Sequence, residues 1–199
     1  GITDMEYFEE ERNKLADLTF QMEYGAKFIG ISSNSAFPFE LISKCRTLEN
    51  VELCQPKGSK SQYCISLDIA TSEASDADNS IVTVVKYTEK KDGSYGKKLV
   101  YIRSFHGVKL DALANEIRKL YHIQFPNTSV IQYDARGLGD SFDRFFDNEW
   151  VDIVSGKEYP PLVFDDTPNM NTNAIQALHP FRAVQSLNQR IYSNLRVSL

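Results

Sequence analysis

The sequence predicts an α/β fold on a mixed central sheet, an antiparallel meander of three strands extended by parallel strands and flanked by helices. Three observations carry this expectation. Strand-like patterns follow one another at 63–70, 80–87 and 99–104, separated by Asp- and Gly-containing turns. A helical repeat at 110–121 divides them from a fourth strand pattern at 129–134. The first and fourth strand patterns both finish on an aspartate, Asp68 and Asp134.

The 199 residues, 42% hydrophobic and 12% aromatic, suffice for one ordinary domain with an appendage. No apolar run reaches the roughly 20 residues of a membrane helix, and the N-terminus lacks the basic-then-apolar start of a signal peptide. Three cysteines without metal-ligand spacing, Cys45, Cys54 and Cys64, point to a reducing compartment and a soluble, intracellular protein. The formal charge of −5 argues against generic nucleic-acid binding through bulk charge. It does not exclude an enzyme that gathers carboxylates around divalent cations and holds a phosphate backbone through them.

Residues 3–21 are charged and helix-favouring, with Glu9, Glu10 and Glu11 suited to the first half of a helix. An aromatic segment follows at 20–28, then a short helix at 39–48 and a turn-rich connector at 54–60. In the first strand Tyr63, Ile65, Leu67 and Ile69 alternate with Cys64, Ser66 and Asp68, which lifts the Asp68 carboxylate out of a mainly apolar element into the expected core. A buried, unpaired carboxylate costs several kcal/mol, roughly, so the position calls for a cation, a donor network or a metal. In the helix, Leu110, Leu113, Ala114, Ile117, Leu120 and Tyr121 share a face, and Pro126 lies beyond its end. After Asp134 a glycine turn opens a helix to about Asp147, and 151–154 reads as a fifth strand. The stretch 157–173, rich in Pro, Asp, Thr and Asn, reads as a long loop that orders on binding. A closing helix carries Phe181, Val184, Leu187, Ile191, Leu195 and Leu199, with Arg182, Arg190 and Arg196 off the stripe.

With the first and fourth strands adjacent and parallel, Asp68 and Asp134 project from neighbouring ends. Two carboxylates about 4 Å apart repel by roughly 4 kcal/mol at an effective dielectric near 20. A divalent cation removes that conflict, and two such ions roughly 3.5–4 Å apart activate a water and stabilise the leaving oxygen in phosphodiester hydrolysis. Each Asp taken singly serves equally well to cap the loop after its strand.

The order of three strands, a helix and a fourth strand recurs in the ribonuclease H-like superfamily. Asp68-Ile69-Ala70, Asp76-Ala77-Asp78-Asn79-Ser80-Ile81-Val82 and Tyr133-Asp134-Ala135-Arg136-Gly137-Leu138-Gly139 together resemble the C-terminal nuclease domain of the large terminase subunit of tailed bacteriophages. The segment at 20–28 is similar to the stretch by which those proteins leave their packaging ATPase domain. The resemblance implies a ribonuclease H-like endonuclease that cuts concatemeric viral DNA during packaging, in the cytoplasm of an infected bacterium. It implies Mg²⁺ or Mn²⁺, two ions, as cofactor, and double-stranded DNA, a small terminase subunit and a portal protein as partners. Carried over, Asp68 and Asp134 take the catalytic metal positions, and Asp78, in the turn before the second strand, matches a further acidic position or is a plain turn residue. On this reading 1–56 is a helical and linker segment leading from an ATPase domain, and 57–199 is the nuclease domain without its C-terminal end.

One departure bears on the site. The family has a further acidic residue near the end of the fold, and no acidic residue follows Asp166 here. Asp165 and Asp166 substitute for it, or the sequence is a fragment that lacks this ligand. No Gly-x-x-x-x-Gly-Lys-Ser/Thr phosphate loop is present, so this chain should not hydrolyse ATP. For DNA contact the candidates are Arg136, directly after Asp134, which serves equally to pair with a loop carboxylate, and Lys97 and Lys98 beside a hairpin tip, which read first as a solvated hairpin. His106, His122 and His179 have no spacing that suggests a metal or a triad, and read as surface or helix-end residues. Two readings compete with the nuclease: a non-catalytic module of the same fold that docks DNA or packaging partners, and another ribonuclease H-like enzyme such as a resolvase or recombinase.

Overall fold

The computed structural model describes residues 39–70, 78–135, 139–164, 173–182 and 184–198, together with Glu9, Arg12 and Phe37. The chain divides into two compact units, one of residues 48–187 and one of residues 1–47 with 188–199. Of the N-terminal helix expected at 3–21, Glu9 and Arg12 are helical and the rest lies outside the described residues. The smaller unit contains a short helix α1, Phe39–Cys45.

The larger unit holds the meander, with β1 at Gln62–Asp68, β2 at Ser80–Glu89 and β3 at Tyr95–Phe105. Helix α2 (Leu110–Lys119) runs into a π turn at Leu120–Gln124, closed by the Phe125 amide on the Leu120 carbonyl at 2.7 Å. Then come β4 (Thr128–Asp134), a short helix α3 (Gly139–Phe142) with a 3₁₀ turn at Asp143–Phe146, β5 (Trp150–Val151), β6 (Glu158–Tyr159), β7 (Leu162–Phe164) and β8 (Ile175–Phe181). Helix α4, Gln185–Ser198, follows.

The main sheet has six strands in the order β3-β2-β1-β4-β8-β7. Strands β1, β2 and β3 pair antiparallel, whereas β1 with β4, β4 with β8 and β8 with β7 pair parallel. The mixed sheet of antiparallel meander plus parallel strands, flanked by helices, is therefore the one expected from the sequence. One face of it forms the core. Tyr63, Ile65 and Leu67 of β1, Val82 and Val84 of β2, Ile131 and Tyr133 of β4 and Leu178 of β8 are buried there, in one cluster with Leu113, Ala114 and Ile117 of α2 and with Phe142 and Phe146. Tyr63, Tyr101 and Phe125 meet in tilted and edge-on ring contacts at 5.1 and 6.1 Å.

Three expectations need correction. The fifth strand expected at 151–154 is only Trp150–Val151, paired with Glu158–Tyr159 in a separate two-stranded ribbon, because Asp152 turns the chain immediately after it. The loop expected across 157–173 contains β6 and β7, and its remainder at 165–172 lies outside the described residues. Phe181 ends a strand instead of opening the last helix: it stands opposite Asp134, and its carbonyl accepts the Ala135 amide at 2.8 Å. Parallel pairing with β4 thus outweighs the helical spacing of Phe181 and Val184.

Candidate functional site: the carboxyl ends of the parallel strands

The register of β1 and β4 brings the two sequence-predicted aspartates side by side. Leu67 faces Tyr133 in that ladder, and Asp68 and Asp134 are the next residue on each strand. Neighbouring strands lie roughly 4.8 Å apart, and residues paired in a parallel ladder project to the same face. The two carboxylates therefore leave adjacent strands on one face, opposite the face that carries Tyr63, Ile65 and Leu67.

That face is not the core. Asp68 is exposed and Asp134 half-buried, which overturns the expectation that Asp68 rises into the interior. The reason lies in the packing: α2 and α3 supply Leu113, Ala114, Ile117 and Phe142 to the cluster of Tyr63, Ile65 and Leu67, so the alternate row of Cys64, Ser66 and Asp68 points the other way. Cys64, at the start of that row, is buried, and burial pushes its thiol above the usual range. Its sulfur lies 3.7 Å from both Ser66 Oγ and Gln132 Oε1.

Other chain ends converge on the same edge of the sheet. Asp68 faces Ile81 near the start of β2, and the amide of Ala70 donates to Ser80 Oγ at 3.0 Å. Asp78 is exposed, two residues before β2, and so lies at the aspartate end of the sheet; residues 71–77 are outside the described set. His106, just after β3, holds Asn79 Oδ1 through Nδ1 at 2.7 Å. Sequence reasoning missed both the β8 strand and the place of His179 in it. His179 is half-buried in the central sheet, opposite Gln132 and one pleat before the row of Asp134 and Phe181. The expectation of a surface or helix-end residue holds for His122, at the end of α2, and fails for His179.

The basic candidates are distributed differently. Arg136, Asp165 and Asp166 lie outside the described residues. Lys97 and Lys98 are exposed at the start of β3, opposite Tyr87 and Lys86. Ile81, which faces Asp68, is six residues from Tyr87, so Lys97 stands about 20 Å along the sheet from the aspartates.

The donor set at the parallel edge is hard oxygen. Mg²⁺ is commonly bound through one or two carboxylates, with waters and substrate phosphates completing its shell, and the pair Asp68 and Asp134 fits that pattern. Among the described residues no group of three or more His, Cys, Asp or Glu is placed to hold a metal ion. No described helix is long and apolar enough to cross a membrane. No family model, curated protein or solved structure matches the chain.

Proposed function

We propose that the chain is a metal-dependent DNA endonuclease of ribonuclease H-like architecture, acting as the nuclease of a terminase packaging motor. The observation that carries the proposal is the parallel pairing of β1 and β4, which sets Asp68 and Asp134 on adjacent strand ends. Growth of the sheet reverses direction at β1, with β2 and β3 on one side and β4 and β8 on the other. Crevices at such switch points, outside the carboxyl ends of parallel strands, are where open α/β sheets bind ligands. The strand order, three antiparallel strands with a parallel fourth beside the first, is compatible with the ribonuclease H-like arrangement.

In this reading Asp68 and Asp134 hold Mg²⁺ or Mn²⁺, with Asp78 close enough in the topology to contribute. When bound, the metal polarises the phosphodiester and lowers the pKa of a water. The protein's part is positional: rigid β1 and β4, each with its opposite face in the core, fix the spacing of the two carboxylates. The DNA backbone is an anion, and the exposed position of Asp68 leaves the edge open to it.

Supercoiled plasmid incubated with Mn²⁺ tests the proposal. The expected result is nicked and linear product from the wild type and none from Asp68→Asn or Asp134→Asn. Equal cutting by these variants would refute the site. A second reading, a non-catalytic DNA- or partner-docking module, draws on the exposure of Asp68 and on the absence, among the described residues, of three acids grouped to hold a metal. Melting with Mn²⁺ separates the two: stabilisation of about 1.4 kcal/mol at ten times Kd, lost in Asp68→Asn, belongs to the metalloenzyme.

A further inference from the structure

Resting on the reading of a DNA-cutting site at Asp68 and Asp134, we propose that the end of β3 is a DNA-backbone contact on the same face of the sheet. His106, held by Asn79, and Ser104 receive a phosphate of the duplex whose scissile bond lies at the aspartates. Charge favours an anion here. In a chain of net charge −5, the stretch from Gly93 to Leu110 contains no acid. Its basic residues are Lys97, Lys98, Arg103, His106 and Lys109, of which Arg103 is taken by Glu116 at 3.1 Å.

The register decides which of these groups share a face with the aspartates. Asp68 pairs with Ile81 and Ile81 with Ser104, so Ser104 stands in the Asp68 row, two strands away and on the same face. The neighbouring pair, Ser80 and Phe105, is buried on the core side. Asn79 and His106 are the next residue on each strand and return to the face of Ile81 and Ser104. Their side chains meet there, His106 Nδ1 donating to Asn79 Oδ1 at 2.7 Å. Asn79, Ser104 and His106 are exposed, as is Asp68. Lys98 and Arg103 are on the other face, since Lys98 pairs with Lys86 in the Tyr63 row and Arg103 pairs with Val82.

The Asn79 bond occupies one ring nitrogen of His106 and steadies the ring, which leaves Nε2 as the group for a ligand. With a proton on both nitrogens the ring donates a charge-assisted hydrogen bond, and the Ser104 hydroxyl donates a neutral one; both are ordinary partners of phosphate oxygens. Gly107, at φ 60°, turns the chain directly after His106, so the ring stands at the end of the strand. Two strand spacings put Ser104 about 10 Å from Asp68, and one further pleat puts His106 about 12 Å away. That is about three nucleotide steps at 3.4 Å each along the axis of one strand. The acid beside this pair in sequence is Asp78, which sits on the metal side of the proposed site.

The test is anisotropy of a short fluorescent duplex with the full chain, in EDTA so that the metal takes no part, across a salt series. His106→Ala should weaken binding about tenfold, as for loss of one hydrogen bond to a charged group. It should also lower the slope of log K against log salt by about 0.9, for one phosphate no longer neutralised. His106→Arg should keep both affinity and slope, and Asn79→Ala, which frees the ring, should fall between wild type and His106→Ala. Melting of each variant checks the fold. A wild type that binds no duplex, or unchanged affinity and slope in His106→Ala, overturns the inference. So does an equal loss in Lys98→Ala, because binding would then follow overall charge and not this face. Plasmid cleavage run in parallel separates the two readings: cutting with His106-independent binding sinks this inference alone, and His106-dependent binding without cutting sinks the nuclease and leaves the contact standing.

Discussion

Lowering the pH from about 7.5 to 5 probes how the His122 ring is held in the fold. The π turn delivers His122 into an aromatic stack, with its centroid 4.5 Å from Tyr159 at 26° and 6.1 Å from Trp150 at 16°, and edge-on to Tyr121 at 4.9 Å. Its Nε2 is buried with no hydrogen-bond partner among the described residues. Burial first, then the charges of Arg118 and Lys157, push its pKa from 6.5 down to about 4. An unfolded ring titrates near 6.5, so between that pH and about 4 the unfolded chain binds more protons, and stability falls as pH falls. It is fully present above pH 6.5. For the full shift the loss between pH 7.5 and 5 is about 2 kcal/mol, and about 1 kcal/mol after discounting for the partial solvent access of the ring. Urea unfolding at both pH values measures it. His122→Phe keeps the stacking ring and removes the orphaned nitrogen, so it should be at least as stable as wild type at the higher pH and lose less on acidification. A variant that loses as much stability as wild type would refute the assignment of the pH dependence to His122.

Further expectations rest on single contacts. Ile131→Ala removes a fully buried side chain whose residue pairs with both Ile65 and Leu178, and should cost about 2–5 kcal/mol in urea unfolding. Arg118 is buried, donates to the Asn148 carbonyl at 2.9 Å and lies over the Phe146 ring at 5.4 Å; Arg118→Ala should cost about 1.5–3 kcal/mol, read by the same assay. Gly93→Ala forces a Cβ into left-handed backbone at φ +80° and should lower stability by about 1–2 kcal/mol, with nothing nearby to clash. Asp68→Asn removes a charge at an exposed strand end and should melt within a few degrees of wild type in EDTA; under the proposed metal site it should also fail to gain stability with Mn²⁺.

The meander, α2 and β4 were legible because their signals are local. Alternation in 63–67, short turns, the 110–121 helical face and Pro126 are each visible in a window of a dozen residues. The pairing of Asp68 with Asp134 was legible one step further on, since two strands ending alike and separated by a crossover helix have few ways to meet. Strand β8 was not. Ile175–Phe181 contains Pro180 and buries Ala177 and Leu178 in succession, so it shows no alternation, and its stability comes from ladders with β4 and β7 that are distant in sequence. The same holds for the environment of Asp68. Sequence alone put the carboxylate at the end of an apolar strand, which fixes its face relative to Tyr63, Ile65 and Leu67. Which of the two faces becomes core is a choice of where α2 and α3 pack, and alternation is symmetric with respect to it. Only the tertiary structure, by burying the tyrosine row, turned Asp68 and Asp134 outward, and only strand direction set Lys97 and Lys98 at the far end of the sheet.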